Sequence, residues 1–305
     1  MRSVGAVGGG LSLDALRDLR PAWRAPLAVP AGDDTAMFAP PPSVGSTVTA
    51  ALVAMLHDRW DDVSAEERPH LRAAASARAF ADRAGWMQPN GWPLPNPAAF
   101  GDARRLAGLL AGYDPARHAA TAPGAPPGDS PAAAGFAVVD GEGQAVTCAV
   151  SPLRLFGAGL VAPGTGIVLA NPPGPSGPPP LAVMMTVNPN TRQPHFVGAA
   201  AGGGTAPAAL ASVFLDTVRR DRPLAEAVAA PRLVHPGTPD AVFAETAPYA
   251  LDPAPLVARG HRVSPVAMPS RVEALICREG VGTPERCEVA TDPRGFGLAT
   301  VAGKR

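Results

Sequence analysis

In the first third of the chain, apolar positions recur at helical spacing. In "SLDALRDLR" (12–20), Leu13, Leu16 and Leu19 share one face, and Ser12 stands where an N-cap side chain would accept from the first turn. "STVTAALVAMLHDRW" (46–60) and "SAEERPHLRAAASARAFADRAGW" (64–86) predict two longer helices. The second has Ser64 and Glu67 in capping-box register and Pro69 near its start, where a missing N–H costs no hydrogen bond. A further helix is expected from Pro97 to Tyr113, so the whole of this part reads as helical. "TAPGAPPGDSP" (121–131) suits neither a helix nor a central strand and reads as an exposed linker.

Beyond the linker the period shortens. "FAVVD", "QAVTCAV", "GIVLA", "AVMMTV" and "HFVGAA" are short apolar runs bounded by turn residues, the pattern of buried strands. "GAAAGGGTAP" is a Gly-rich turn leading into the helix "AALASVFLDTVRR". A short helix "LAEAVAAP", a strand "AVFAET", a helix near "DPAPLVARG" and strands "RVEALIC" and "RCEVATD" complete the order. Helices, a block of strands, then helices and strands again describe a layered α+β protein with sheets covered by helices. The chain divides into a helical segment 1–120, the linker 121–132 and a strand-rich part 133–305.

Composition narrows the function. The 305 residues suffice for one large domain or two ordinary ones. With 26 basic and 26 acidic residues and no block of either sign, there is no electrostatic footprint for nucleic acid or an anionic membrane. The 38 prolines and 33 glycines lie among strongly apolar segments, which favours a packed protein over a disordered one. No apolar run reaches the length of a membrane span, and the glycines and charges of the first residues leave no signal-peptide core, so a cytoplasmic location is the default expectation.

Three cysteines make no disulfide framework. Cys277 and Cys287 flank a hairpin turn, with two free thiols favoured over a bond, and Cys148 reads as a small core residue. The histidines look scattered. His235 and His261 lie near element ends and read as turn or surface residues, while His57, His70 and His118 belong to helix faces or ends and give no ligand spacing. No Cys/His pattern resembles a zinc site, and neither a metal nor a cofactor is expected. Asp61/Asp62 and Glu66/Glu67 sit beside helix termini, where they suit the dipole. The glycines at 198–204 precede a helix N-terminus and expose backbone N–H groups able to hold an oxyanion, although from these residues alone a tight strand-to-helix turn is the favoured reading. They are neither a P-loop nor a full GxGxxG, and no Gly-x-Ser-x-Gly elbow appears.

Taken in order, the segments resemble the γ-glutamyltranspeptidases, also called γ-glutamyltransferases or glutathione hydrolases. "GGGLSLDALRDLRPAW", "FAPPPSVGSTVTAALVAML" and "ARAFADRAGWM" are similar to early family segments. "GFAVVDGEGQAV", "FGAGLVAPGTGIVLAN", "AVAAPRLVH", "GHRV" and "TDPRGFGLA" follow in family order. The resemblance implies an N-terminal-nucleophile hydrolase fold, a four-layer αββα sandwich, here incomplete at its N-terminal side. It also implies a precursor that cuts itself, freeing a Thr whose α-amine serves as base while its hydroxyl attacks a γ-glutamyl carbonyl.

The resemblance also locates where that chemistry should stand. The family's Thr lies seven residues before the Asp closing "VVD", which is Asp140 here, so its position is Ala133. Ala134 replaces a second Thr and Gly135 the following His. Ser151 falls where a Thr supports the nucleophile, and Leu153 where an Asn holds the γ-glutamyl group. Gly174 stands near the acidic position that grips the substrate's amino group, and Ala182 and Val183 replace a Ser-Ser pair for its carboxylate. Gly202 and Gly203 match the oxyanion-hole glycines and are kept. Removing one polar partner from a buried charged substrate costs about 2–5 kcal/mol. The leading expectation is therefore a non-catalytic family member acting as a structural or binding subunit, with a protein partner or a second copy completing its core. Two alternatives stay open. One is an active γ-glutamyl hydrolase or transferase for glutathione-like compounds, working through Ser130, Thr147 or Ser151. The other is a small-ligand module over Gly202 and Gly203. Family members are often periplasmic or extracellular, which the cytoplasmic default does not settle.

Overall fold

The chain, seen in a computed structural model, is described over residues 12–88, 94, 97–121, 132–171, 180–267 and 270–301. Gly174, Ser130 and nearly all of the expected linker lie outside the described residues. Helix α1 (Leu13–Asp18) is capped as expected, the Ala15 N–H donating to Ser12 Oγ at 3.0 Å, but none of its residues is buried. Its leucine face has no covering partner among the described residues.

The segment that follows corrects the helical reading of the first part. Strands β1 (Leu27–Ala31) and β2 (Asp34–Phe38) form an antiparallel hairpin turned through Gly32, whose φ of 66° suits glycine. Pro30 is tolerated because β1 is an edge strand, where a missing N–H breaks no ladder. Helix α2 (Val44–Leu56) is buried on nearly every side. It approaches β5 (Ala182–Val187) so closely that a Cβ on Gly45 would lie 2.2 Å from the Leu181 carbonyl oxygen. Helix α3 (Arg68–Ala81) starts later than the capping box suggests. Ser64 Oγ accepts from the Glu67 N–H at 3.1 Å, but the Glu67 carboxylate accepts from Tyr113 Oη at 2.9 Å instead of turning back to its own helix. The helix expected over 97–113 is broken into a 3₁₀ turn (Pro97–Gly101) and α4 (Ala103–Gly108), because Asp102 caps a new start by accepting from the Arg105 N–H at 2.8 Å.

The second part holds β3 (Ala134–Val139), β4 (Ala145–Val150), β5, β6 (Pro194–Ala201), α5 (Ala206–Arg219), α6 (Leu224–Ala229) and β7 (Leu233–Val234). It continues with β8 (Val242–Glu245), α7 (Ala254–Ala258), β9 (Val263–Val266), β10 (Arg271–Ile276) and β11 (Glu288–Ala290). "GIVLA" is not a strand: a single bridge joins Val161 and Val168, and Ile167 is exposed. A six-stranded antiparallel sheet in the order β1-β2-β5-β6-β10-β11 forms the centre. Helices α2 and α5 cover one face, burying Phe38, Leu52, Phe196 and Phe214 between them and the sheet. The β3–β4 hairpin packs on the other face, where Ala137, Val139 and Ala145 meet Val197 and Leu275. A small β7–β8–β9 sheet lies against α3 and α7 through Ala73, Leu233, Val242 and Leu256.

The described layers are thus helix, sheet and hairpin sheet. No helix among the described residues covers the outer face of β3–β4, and Phe136, Val138, Val146 and Val150 are exposed there. Cys148 stands on that outer face, half-buried between Val146 and Val150 and opposite Phe136, not in the core as its apolar strand suggests. Cys277 and Cys287 are bonded, with Cα atoms 4.3 Å apart, because the turn after β10 returns the chain directly beside it. No helix among the described residues is long and apolar enough to cross a membrane.

Candidate functional site

The resemblance-derived positions collect at one end of β6. This strand runs buried to Ala201, and Gly202 and Gly203 then turn the chain with φ of 113° and 79°, a conformation costly for any side-chain-bearing residue. The turn delivers the chain into α5. β3 lies across β6: Thr147 Oγ1 of its partner strand donates to the Gly198 carbonyl at 2.8 Å. A Cβ on Gly135 would sit 2.8 Å from the Ala199 Cβ. Any side chain at position 135 would therefore push the two layers apart.

Ala133 and Ala134 stand at the head of β3 and share with Ala201 the lining of a groove of about 1060 Å³. Arg271, Glu273 and the segment beginning at Phe296 form its other walls. Burial raises the Glu273 carboxyl above its ordinary range. On the next strand, Ala182 pairs with Ala200 and Val183 with Ala199. The Val183 N–H donates to Ser46 Oγ at 2.9 Å, so the hydroxyl found beside this pair comes from α2 and was not singled out from sequence.

Ser151 and Leu153 follow β4. Ser151 Oγ donates to the Ala132 carbonyl at 2.6 Å and accepts from the Leu153 N–H at 2.9 Å, which pins the exit of β4 to the start of β3. Leu153 has φ of 71°, a left-handed conformation that Asn adopts readily and Leu does not. The structure thus brings Ala133, Ala134, Ser151 and Leu153 together above β6, with Ala182, Val183, Gly202 and Gly203 on the strands and turn below.

A second constellation was missed in the sequence. His235 and His261, expected at turns or the surface, are buried at 0% and 4% exposure. His70 from α3 and His118 from the chain after α4 join them. His118 Nε2 and His235 Nε2 both approach Asp240 Oδ1, at 2.9 and 3.0 Å. His70 Nδ1 lies 2.7 Å from His261 Nε2. One nitrogen each of His118, His235 and His261 falls within 4.8 Å of the others. Burial, reinforced by His118, His70 and His235, lowers His261 to a pKa of about 3, so its imidazole is neutral at neutral pH. Burial likewise lowers His70 and His235.

Comparison with known proteins gives this arrangement its family. The profile described as Gamma-glutamyltranspeptidase matches residues 1–173 and 180–302. A glutathione hydrolase proenzyme of Pseudomonas aeruginosa is 29% identical over 159 residues, covering 50% of this chain and 28% of the relative. Cephalosporin acylase from Bacillus halodurans superimposes with a TM-score of 0.75 at 19% identity, over 99% of this chain and 57% of that one. A γ-glutamyltranspeptidase from Pseudomonas nitroreducens, solved with L-DON, is 22% identical with a TM-score of 0.46, over 55% of this chain and 98% of that one. The chain spans less than two thirds of the glutathione hydrolase proenzyme and of the acylase. The profile match runs over nearly every residue and the acylase likeness confirms the layered fold: this chain belongs to the γ-glutamyltranspeptidase family.

Proposed function

We propose that this chain is a non-catalytic γ-glutamyltranspeptidase-type protein that serves as a structural or binding subunit. The observation that carries the reading is at the head of β3. By the family resemblance the nucleophile position falls on Ala133, and the hydroxyl beside it, Ser151 Oγ, donates a hydrogen bond to the Ala132 carbonyl at 2.6 Å. Nucleophilic attack needs a hydroxyl with a base to take its proton. A methyl group offers nothing to attack with, and Ser151 is engaged in holding two strand ends. Thr147 is committed to the Gly198 carbonyl. Where the family resemblance puts a Ser-Ser pair for the substrate carboxylate, Ala182 and Val183 offer no side-chain donor, which takes two polar partners away from a buried charge. Gly202 and Gly203 are retained as the turn that joins β6 to α5, a need of the fold that persists without catalysis.

The binding role is supported by the outer face of the β3–β4 hairpin. A two-stranded sheet is marginal by itself. This one packs its inner face on β6 and β10 and presents Phe136, Val138, Val146 and Val150 to solvent. These side chains are half-exposed, so covering what remains gains about 1 kcal/mol each. A polypeptide that lays an apolar layer over this face completes the sandwich.

Incubation of the purified chain with a γ-glutamyl anilide tests the enzymatic half of the reading. No glutamate release above the buffer rate is expected. Turnover that disappears in Ser151→Ala or Thr147→Ala would restore a catalytic reading.

A further inference from the structure

The histidine cluster contains none of the positions the family resemblance assigns to the pocket, although His235 and His261 lie in the family-like segments "AVAAPRLVH" and "GHRV", and nothing in the proposed subunit role uses it. Its hydrogen-bond pattern fixes the tautomers. His70 Nε2 faces the Asp114 carbonyl at 2.8 Å, so that nitrogen carries the proton and Nδ1 is an acceptor. The proton between His70 and His261 must then sit on His261 Nε2, which donates to His70 Nδ1 at 2.7 Å. This leaves His261 Nδ1 as a bare lone pair, and it is buried without a hydrogen-bond partner. A buried acceptor left unpaired is unfavourable, and a cation at that lone pair would satisfy it. His118 and His235 direct Nε2 at the same oxygen of Asp240, so one carboxylate oxygen is shared by two imidazoles.

We propose that His118, His235 and His261, with the Asp240 carboxylate, form a binding site for one divalent transition-metal ion of the zinc type. Three imidazoles and one carboxylate are a donor set suited to a four-coordinate borderline cation. The ligand on His261 is Nδ1, the atom that has no partner. Its Nε2–H is held by His70, itself held by the Asp114 carbonyl, so the ring's tautomer and orientation are set by a relay ending on backbone. The cation takes the place of the two imidazole protons now directed at Asp240. His235 gives up the bond its Nδ1 accepts from the Gly237 N–H, which at 3.2 Å is the longest in the cluster.

Metal–nitrogen bonds of about 2.0–2.1 Å draw the three imidazole nitrogens nearer than the 4.8 Å within which they now lie, and Asp240, which stands beside His118 and His235 but outside that set of three, closes on the ion with them. His118 can supply that movement. It lies outside regular secondary structure, and its backbone is fixed separately by its N–H donating to the Arg259 carbonyl at 2.7 Å. The ion then clips α3, the chain after α4, the turn after β7 and the turn before β9 into one unit.

The test uses the untagged chain, stripped with chelator and dialysed, then titrated with Co²⁺ and afterwards with Zn²⁺. The expected result is saturation at one equivalent with the visible absorption of four-coordinate cobalt, bleached by Zn²⁺. His118→Ala keeps the backbone bond to Arg259 and should retain the native circular dichroism. It should lose the cobalt bands and weaken Zn²⁺ binding at least tenfold. His195→Ala, at a histidine paired with Asp34 away from the cluster, should change neither. A folded wild-type chain with no saturable cobalt band, or identical titrations for wild type and His118→Ala, would overturn the proposal.

Discussion

Leu153 sits in a left-handed conformation directly after β4, with its N–H held by Ser151 Oγ at 2.9 Å. A Cβ-bearing, γ-branched residue in this region costs about 1–2 kcal/mol relative to one that adopts it freely. The strain has a simple origin in our reading: the family resemblance puts an Asn at this position, the loop kept the backbone that suited it, and the side chain changed. Leu153→Asn should therefore raise the stability of the chain by up to about 1 kcal/mol, measured as a shift in the urea midpoint at unchanged slope. A loss of stability would mean that the Leu side chain contributes packing that outweighs its backbone. The residue scale is also where sequence reading was least able to see. The family resemblance points to Ala133 by counting from Asp140, but the commitment of Ser151 to the Ala132 carbonyl could not be read, because it joins two strand ends across a hairpin. The histidines failed for the same reason on a larger span. His70 and His261 are 191 positions apart, and no local spacing betrays a cluster assembled by four separate elements.

Among elements, strands β3 to β6 and β10 and helices α2 and α5 were legible because each carries a strong period and is bounded by turn residues. The β1–β2 hairpin was not, since Pro30, which β1 tolerates at the sheet edge, and the acidic pair Asp33/Asp34, which stands at the turn into β2, mask both strands. "GIVLA" erred in the other direction: a β-branched run suits a pleated surface only when something packs against it, and here Ile167 has solvent. The segments "AVAAPRLVH" and "TDPRGFGLA", which carried part of the family resemblance, have a structural role. Arg232, before β7, pairs at 2.7 Å with Asp292, after β11, and both are buried. The Asp292 carboxylate also accepts from the Val272 N–H of β10 at 3.0 Å, and Arg294 donates to Glu245 of β8 at 2.8 Å. This network ties the small sheet to the large one. Asp292→Ala leaves Arg232 charged, buried and unpaired, so it should cost about 3–5 kcal/mol in equilibrium unfolding. A cost below about 1 kcal/mol would show that the two sheets are held by packing alone.

At the scale of the whole molecule, one sheet is covered by helices on one face and by a hairpin on the other, and the hairpin's own outer face is bare among the described residues. The α+β layering was readable from the order of periods along the chain. The bare face was not, because the apolar residues on the two sides of β3 and β4 look alike until the hairpin's register assigns Ala137 and Val139 inward and Phe136 and Val138 outward. In the proposed reading, a fold that keeps the Gly202–Gly203 turn and the buried ion network, with methyl groups at the position the family resemblance gives to the nucleophile, has preserved what packing needs and not what catalysis needs. Whether the backbone is cut at Ala133 decides that contrast. The first measurement is a denaturing mass spectrum of the purified chain after prolonged incubation, followed by sequencing of its N-termini. A single species at 30.9 kDa with an unbroken peptide across Ala132–Ala134 is expected. Two fragments, one of them beginning at or beside Ala133, would show that self-processing survives and would contradict the non-catalytic reading.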